Sequence, residues 1–131
     1  MKYLLDTTVL ISMIKDQHDA RRKIENNGFV NCAVSEITLG ELIYGAYKGG
    51  YERHKGESDF VKDVFKILPI GGSLDTYARL RSELESKGIR LDNFDLLIAA
   101  TAIDTNRTLV THNTRHFERI PGLKLTDWER D

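Results

Sequence analysis

Two kinds of apolar pattern alternate along the chain. Short runs, Tyr3-Leu4-Leu5, Val30 to Val34 and Thr108-Leu109-Val110-Thr111, are apolar nearly throughout and read as strands buried on both faces. Leu123-Lys124-Leu125 is a weaker fourth. Longer stretches repeat their apolar residues every three or four positions and read as helices. Thr7 or Thr8 caps one carrying Val9, Leu10, Met13 and Ile14, and a polar one covers Asp19 to Glu25, stopped by Asn26-Asn27-Gly28. Ser35 or Thr38 opens a helix with Leu39, Leu42, Ile43 and Ala46, ended at Gly49-Gly50. Tyr51 to Glu57 reads as a loop or frayed helix end. Ser58 then caps an amphipathic helix to Leu68, with Phe60, Val61, Val64, Phe65 and Leu68 inward, and Pro69 to Gly72 breaks it. Leu74 to Lys87 is a further helix, with Leu74, Tyr77, Ala78, Leu80, Arg81 and Leu84 along one side. Asn93 to Asp104 is apolar nearly all round.

Strands alternating with helices imply an α/β sandwich on a largely parallel sheet. The 131 residues, without repeat or linker, make one domain over residues 1–131. A net charge of −1 carries no global signal for nucleic acid, so any such binding rests on local patches. The lone cysteine, Cys32, lies in an apolar run and reads as a buried core thiol; no spacing suggests a disulfide, zinc or redox site. The apolar stretch at the N-terminus is too short for a signal peptide, and no run reaches the roughly 18 residues of a membrane span. A soluble, cytoplasmic protein is expected, with no membrane partner.

Ligands of open parallel sheets bind at the carboxyl ends of the strands, where strand order reverses. Asp6 follows the first strand, and His112-Asn113 follow the Thr108 strand. Glu41 lies on the helix after the second strand, and Asp95 opens the long apolar helix. Each has a plain structural alternative. Asp6 suits a helix N-cap, Asp95 a capping arrangement with Asp92, and Asn113 a turn. Glu41 suits a solvated helix position, yet it is flanked by Leu39, Leu42 and Ile43, and a carboxylate near such a face needs a partner. Three carboxylates meeting in one cleft repel, each pair by about 4 kcal/mol at 4 Å and an effective dielectric near 20. Protons or a cation must offset that repulsion, and oxygen-only ligands select a hard ion such as Mg²⁺ or Mn²⁺.

These residues lie in segments that resemble the PIN-domain ribonucleases, and among them the VapC toxins of VapBC toxin–antitoxin pairs. The matching segments are Leu4 to Ile11, Ser35 to Ala46, Asp95 to Ala100 and Thr111 to Phe117, with Ile120-Pro121-Gly122-Leu123 and Trp128 resembling the family's tail. Each motif is weak alone; their order and spacing across the chain are specific. The resemblance implies a PIN-like three-layer sandwich, with about four to five mostly parallel strands between helices. It places the family's acids on Asp6, Glu41 and Asp95, and its fourth position on Asn113. Asp6, Asp95 and Glu41 then hold Mg²⁺ or Mn²⁺, with Glu41 binding directly or through water, and Asn113 orients water or substrate.

The implied activity is hydrolysis of RNA phosphodiesters by a metal-activated water. Thr8, Thr111 and Arg115 are candidate supports or phosphate contacts. Lys48, Arg53, His54 and Lys55, interleaved with Tyr44, Tyr47 and Tyr51, form the best local patch for RNA, or else an ordinary solvated helix end. The resemblance also implies a homodimer and a VapB-like antitoxin that blocks the acidic cleft. Met13 and Ile14 fit either core or interface. Two other classes fail on residues. A receiver domain needs an acidic pair after its first strand, and a haloacid-type phosphatase needs Asp-x-Asp, where this chain has Asp6-Thr7-Thr8. The serious alternative is a non-catalytic RNA- or protein-binding member of the same fold.

Overall fold

The structure is a computed structural model that describes residues 1–129. Five strands, β1 (Tyr3–Leu5), β2 (Cys32–Ser35), β3 (Lys66–Leu68), β4 (Thr108–Val110) and β5 (Leu125–Thr126), form one sheet in the order β3-β2-β1-β4-β5. All four pairings are parallel. Seven α-helices occur among the described residues: α1 (Thr7–Ile14), α2 (Ala20–Asn27), α3 (Glu36–Gly49), α4 (Tyr51–Val64), α5 (Leu74–Ser86), α6 (Asn93–Asp104) and α7 (Thr114–Phe117).

The central strands β1, β2 and β4 are mostly apolar because both faces of the sheet are covered there. Leu4 is in register with Ala33 and Leu109, and all three point to one face. There they meet Leu80 and Leu84 of α5, Leu96 and Ile98 of α6, and Phe117 of α7. Leu5 is in register with Val34 and Val110 on the other face. Those residues pack on Val9, Leu10 and Met13 of α1, Ile24 of α2 and Val61 of α4. Each fully buried aliphatic side chain contributes about 1.5–3 kcal/mol, so three-residue strands suffice when every residue is used. The expected three-layer sandwich is present, and Met13 belongs to its core at 1 % exposure.

The structure corrects several expected boundaries. The segment read as a loop over Tyr51 to Glu57 and a helix over Ser58 to Leu68 is a helix over Tyr51–Val64, then β3. Its polar half is helical because α4 packs along α3 and carries the i,i+3 pairs Lys55–Glu52 at 2.9 Å and His54–Glu57 at 2.8 Å. Ser58 is therefore no N-cap; it lies buried inside the helix, its hydroxyl donating to the Lys55 carbonyl at 3.1 Å. Phe65 turns extended (φ −107°, ψ 148°), and Ile67 and Leu68 then pair with Val34 and Ser35 at the sheet edge. A pattern of Phe60, Val61, Val64, Phe65 and Leu68 suits a continuous helix equally well, which is why the switch was hidden.

Smaller differences follow the same logic. Val30 is 83 % exposed in a 3₁₀ turn over Phe29–Asn31, so β2 starts at Cys32. Leu74 and Ala78 are exposed, and Thr76, Leu80 and Leu84 form the buried side of α5. Neither Thr7 nor Thr8 caps α1; the Asp6 carboxylate does, accepting from Thr7 N at 2.8 Å. Ser35, not Thr38, caps α3. The last strand lies at Leu125–Thr126, two residues beyond where the apolar run begins.

Cys32 is buried as expected, and that burial pushes its thiol up to about 11, against a smaller opposing effect of the Arg107 guanidinium. A thiol so raised stays neutral through pH 8, and the neutral form is a poor nucleophile. Folded protein should therefore leave Cys32 unmodified by a disulfide reagent at pH 8. Denaturant should release one reactive thiol per chain; prompt reaction in buffer alone would contradict this packing.

Candidate active site

The chain builds β1, β2 and β3 outward in one direction, then returns to lay β4 and β5 on the other side of β1. The reversal falls between β1 and β4, where a parallel sheet opens a crevice at its carboxyl edge. Asp6 is the first residue past β1. Its N–H still bonds to the Val110 carbonyl of β4 at 2.9 Å, so its side chain stands at that crevice. It is only 5 % exposed. Thr7 N donates to Oδ1 at 2.8 Å, and the hydroxyls of Thr111 and Thr8 donate to Oδ2 at 2.8 and 3.3 Å. Three donors offset the cost of burying this carboxylate.

Thr7 joins the second acid to the first. Its hydroxyl donates to Glu41 Oε1 at 2.8 Å and lies 3.1 Å from Thr38 Oγ1. Capping by Ser35 starts α3 directly at the end of β2, and that start puts Thr38 and Glu41 on the turns facing α1. Asp95 arrives on the first turn of α6, whose N-cap Asp92 accepts from Phe94 N and Asp95 N at 3.1 and 3.3 Å. The Asp92 capping reading is thus correct, and it leaves the Asp95 side chain free for the crevice. His116 of α7 donates from Nε2 to Asp95 Oδ2 at 2.8 Å. Burial, foremost, and the nearby Asp6 charge hold the Asp95 carboxyl above the usual carboxylate range, with His116 pulling the other way.

Asn113 is tied to the same cluster through its backbone, its N–H donating to Thr111 Oγ1 at 3.0 Å, while its exposed side chain lines a cleft with Arg115. That cleft, about 350 Å³, is lined by Arg90, Leu91, Asn113, Arg115, His116 and Arg119. Thr8 supports Asp6. Lys48 and Arg53 are exposed at the end of α3 and in the first turn of α4, beside the stacked rings of Tyr47 and Tyr51, whose centroids are 4.4 Å apart. His112 turns toward Asp127 and Glu129.

Sequence reasoning missed the roles of Thr7, Thr38 and His116. From the sequence, Thr7 and Thr38 read only as candidate helix caps. His116 fits either a substrate contact or a structural role from the sequence alone; it precedes the buried Phe117 on α7, which begins at Thr114. Arg90 and Arg119 gave no signal, since both are ordinary surface arginines until α5, α6 and α7 bring them together.

The donor chemistry suits a hard divalent ion. Asp6, Glu41 and Asp95 supply only carboxylate oxygens, held by hydroxyls, an amide and an imidazole. Asp95 is raised in part by Asp6, the repulsion that a cation relieves.

The fold is a parallel three-layer α/β sandwich with an acidic crevice at its strand-order reversal. The chain belongs to the PIN-domain family, which it matches over residues 3–123. Within it, the chain is 36 % identical to ribonuclease VapC2 of Rickettsia felis, over 99 % of this chain and 100 % of that one. It is 34 % identical to the tRNA(fMet)-specific endonuclease VapC of Shigella flexneri, with 98 % of each chain covered. Its fold superposes on VapBC2 from Rickettsia felis bound to a promoter DNA fragment with a TM-score of 0.89, at 37 % identity over 98 % of this chain and 99 % of that one. For DNA-bound VapBC from Salmonella typhimurium the TM-score is 0.88, at 32 % identity with 98 % of each chain covered.

A raised Asp95 carboxyl destabilises the fold once ionised, so the penalty is absent in acid and complete above its folded-state pKa. In EDTA at pH 7, Asp95→Asn should therefore raise Tm. The gain should shrink as pH falls toward 3. Calorimetry across that range tests the sign; a destabilised variant at pH 7 contradicts it.

Proposed function

We propose that the chain is a divalent-metal-dependent endoribonuclease, the toxin of a VapBC-type pair. The observation that carries this reading is the buried Asp6 at the sheet's reversal point, linked through Thr7 to Glu41 and lying close enough to Asp95 to raise its carboxyl, beside a cleft lined by three arginines. The names of relatives aligned over nearly the whole chain support it. Asp6, Asp95 and Glu41 are the ligands assigned to Mg²⁺ or Mn²⁺. When bound, such an ion lowers the pKa of a coordinated water and neutralises charge on the phosphate.

The rest falls to this chain's own side chains. Thr7, Thr8 and Thr111 fix both oxygens of Asp6, Thr7 also fixes Glu41, and His116 fixes Asp95. Arg90, Arg115 and Arg119 hold the RNA backbone beside the reacting phosphate, and the Asn113 amide orients water or substrate at the cleft's inner edge. The main phosphate contacts in this reading lie on and just after α7 and on the α5–α6 connection, with Lys48, Arg53 and the tyrosines of α3 and α4 a second contact zone. Partners of this reading are a VapB-like antitoxin and a second copy of the chain, and it locates the protein in the cytoplasm. No helix among the described residues is long and apolar enough to cross a membrane.

Cleavage of total RNA and of tRNA by antitoxin-free protein, with Mg²⁺, Mn²⁺ or EDTA, tests the activity. Discrete metal-dependent products are expected, lost in Asp6→Asn and Asp95→Asn. RNA binding with no cleavage above those variants would instead establish the non-catalytic member of the fold.

The phosphate track has its own readout. Arg115→Ala with Arg119→Ala should weaken RNA binding and lower the slope of log K against log salt, by about 0.7 for each single-strand phosphate no longer neutralised. Lys48→Ala with Arg53→Ala should change the slope less. The reverse ranking would move the track to α3 and α4.

A further inference from the structure

A second cluster of metal-ligating side chains lies at the same edge of the sheet but apart from the carboxylates described above. His112 follows β4, Asp127 and Glu129 follow β5, and His18 comes from the connection between α1 and α2. His112 Nδ1 lies 3.4 Å from Asp127 Oδ1 and 3.2 Å from Glu129 Oε2, and the three ligand atoms are all within 4.8 Å of one another. Glu129 Oε1 lies 2.5 Å from His18 Nδ1, and the two imidazole rings are tilted together at 5.5 Å between centroids. Both imidazoles thus turn Nδ1 inward, on carboxylates from a different part of the chain.

We propose that His18, His112, Asp127 and Glu129 form a separate site for a borderline divalent cation of the zinc class, distinct from the oxygen-only crevice of Asp6, Glu41 and Asp95. Two imidazole nitrogens and two carboxylates suit zinc, cobalt or nickel, whereas magnesium avoids nitrogen. The spacing carries the argument. Ligands about 2.0–2.1 Å from a tetrahedral ion lie about 3.3 Å from one another. The His112 pairs, at 3.4 and 3.2 Å, have that separation, whereas His18 and Glu129, at 2.5 Å, are in direct contact and must part for His18 to join the ion. As direct charge-assisted hydrogen bonds they are long, since such bonds run about 2.7–2.9 Å.

The surroundings also suit a fixed ion. Asp127 is 6 % exposed and the His112 side chain 18 %, and Asp127 Oδ1 also accepts from Glu129 N at 3.0 Å, a bond that turns the chain beyond β5 back over the cluster. His18 is presented by a connection that holds Asp16, His18 and Asp19 at φ 53°, 57° and 57°, in the left-handed region where Asp and His are the commoner residues after glycine and Asn. An ion there fastens three segments: the α1–α2 connection, the end of β4 and the chain beyond β5. Its role is to brace the fold beside the crevice, since its ligands are not those that hold the reacting phosphate. The site stands or falls independently of the nuclease reading.

The test uses the full chain, free of any purification tag, as the Asp6→Asn/Asp95→Asn variant, which removes the other site's ligands. Calorimetric titration with Zn²⁺ should give one saturable site and raise Tm by at least about 5 °C at saturation. Co²⁺ should give the visible absorption of a tetrahedral nitrogen–oxygen site. In that background, His112→Ala should abolish the binding, and His18→Ala should weaken it about tenfold. Glu129→Gln keeps the shape of an accessible side chain and serves if His112→Ala does not fold; it should weaken binding at least tenfold. Absence of saturable binding in the starting variant, or unchanged affinity in folded Glu129→Gln, overturns the site.

Discussion

Burying Asp6 where β1 ends is the constraint from which the polar edge of this molecule follows. A carboxylate at 5 % exposure is tolerated only with donors in place, and those donors come from three directions. Thr7 N exists because α1 starts immediately after β1, Thr8 because the helix continues, and Thr111 because β4 lies parallel to β1 and ends at the same level. The hydroxyl of Thr7 then reaches Glu41, so the residue whose N–H is held by the Asp6 cap of α1 also fixes the second acid. Local capping and the assembly of the site are one set of bonds. Loss of the parallel register between β1 and β4 removes Thr111 from Asp6 as surely as mutation does.

Much of this was legible in the sequence because two strong patterns coincide. Leu4, Leu5, Leu109 and Val110 are apolar without alternation, which marks strands covered on both faces, and polar residues follow where those runs stop. The three acids were readable from position and from family resemblance, and the Asp92 cap from its spacing to α6. The α4–β3 boundary was not. Phe60, Val61, Val64, Phe65 and Leu68 satisfy helical spacing, yet Leu68 packs in one core while Val61 and Phe65 pack in the other. A short edge strand offers too few residues for its period to compete with that of the helix before it.

The supporting residues were hidden for a different reason. His116 acts through one bond to Asp95, and residues on α6 and α7 meet only through tertiary packing. The same holds for Arg90 and Arg119, which share a cleft although they are far apart in sequence. Basic residues adjacent in sequence, as in Lys48 to Lys55, draw attention that dispersed ones do not. Here two of those neighbours are engaged within α4, Lys55 with Glu52 and His54 with Glu57, which leaves that patch less positive than its composition suggests.

The residues after β4 show how one short segment serves several tasks. Thr111 is fully buried and gives its hydroxyl to Asp6, the next side chain turns to Asp127 and Glu129, and Asn113 lines the arginine cleft. Thr111 Oγ1 also accepts from Asn113 N, so the backbone across these three residues is pinned on both sides of His112. An ion or ion pair that holds His112 therefore restrains the same three residues that position Asp6. The effect is one of rigidity: a cluster outside the crevice can sharpen the placement of its most buried carboxylate without touching substrate. Such an influence passes through the 2.8 Å bond between Thr111 Oγ1 and Asp6 Oδ2, which joins this segment to the acid.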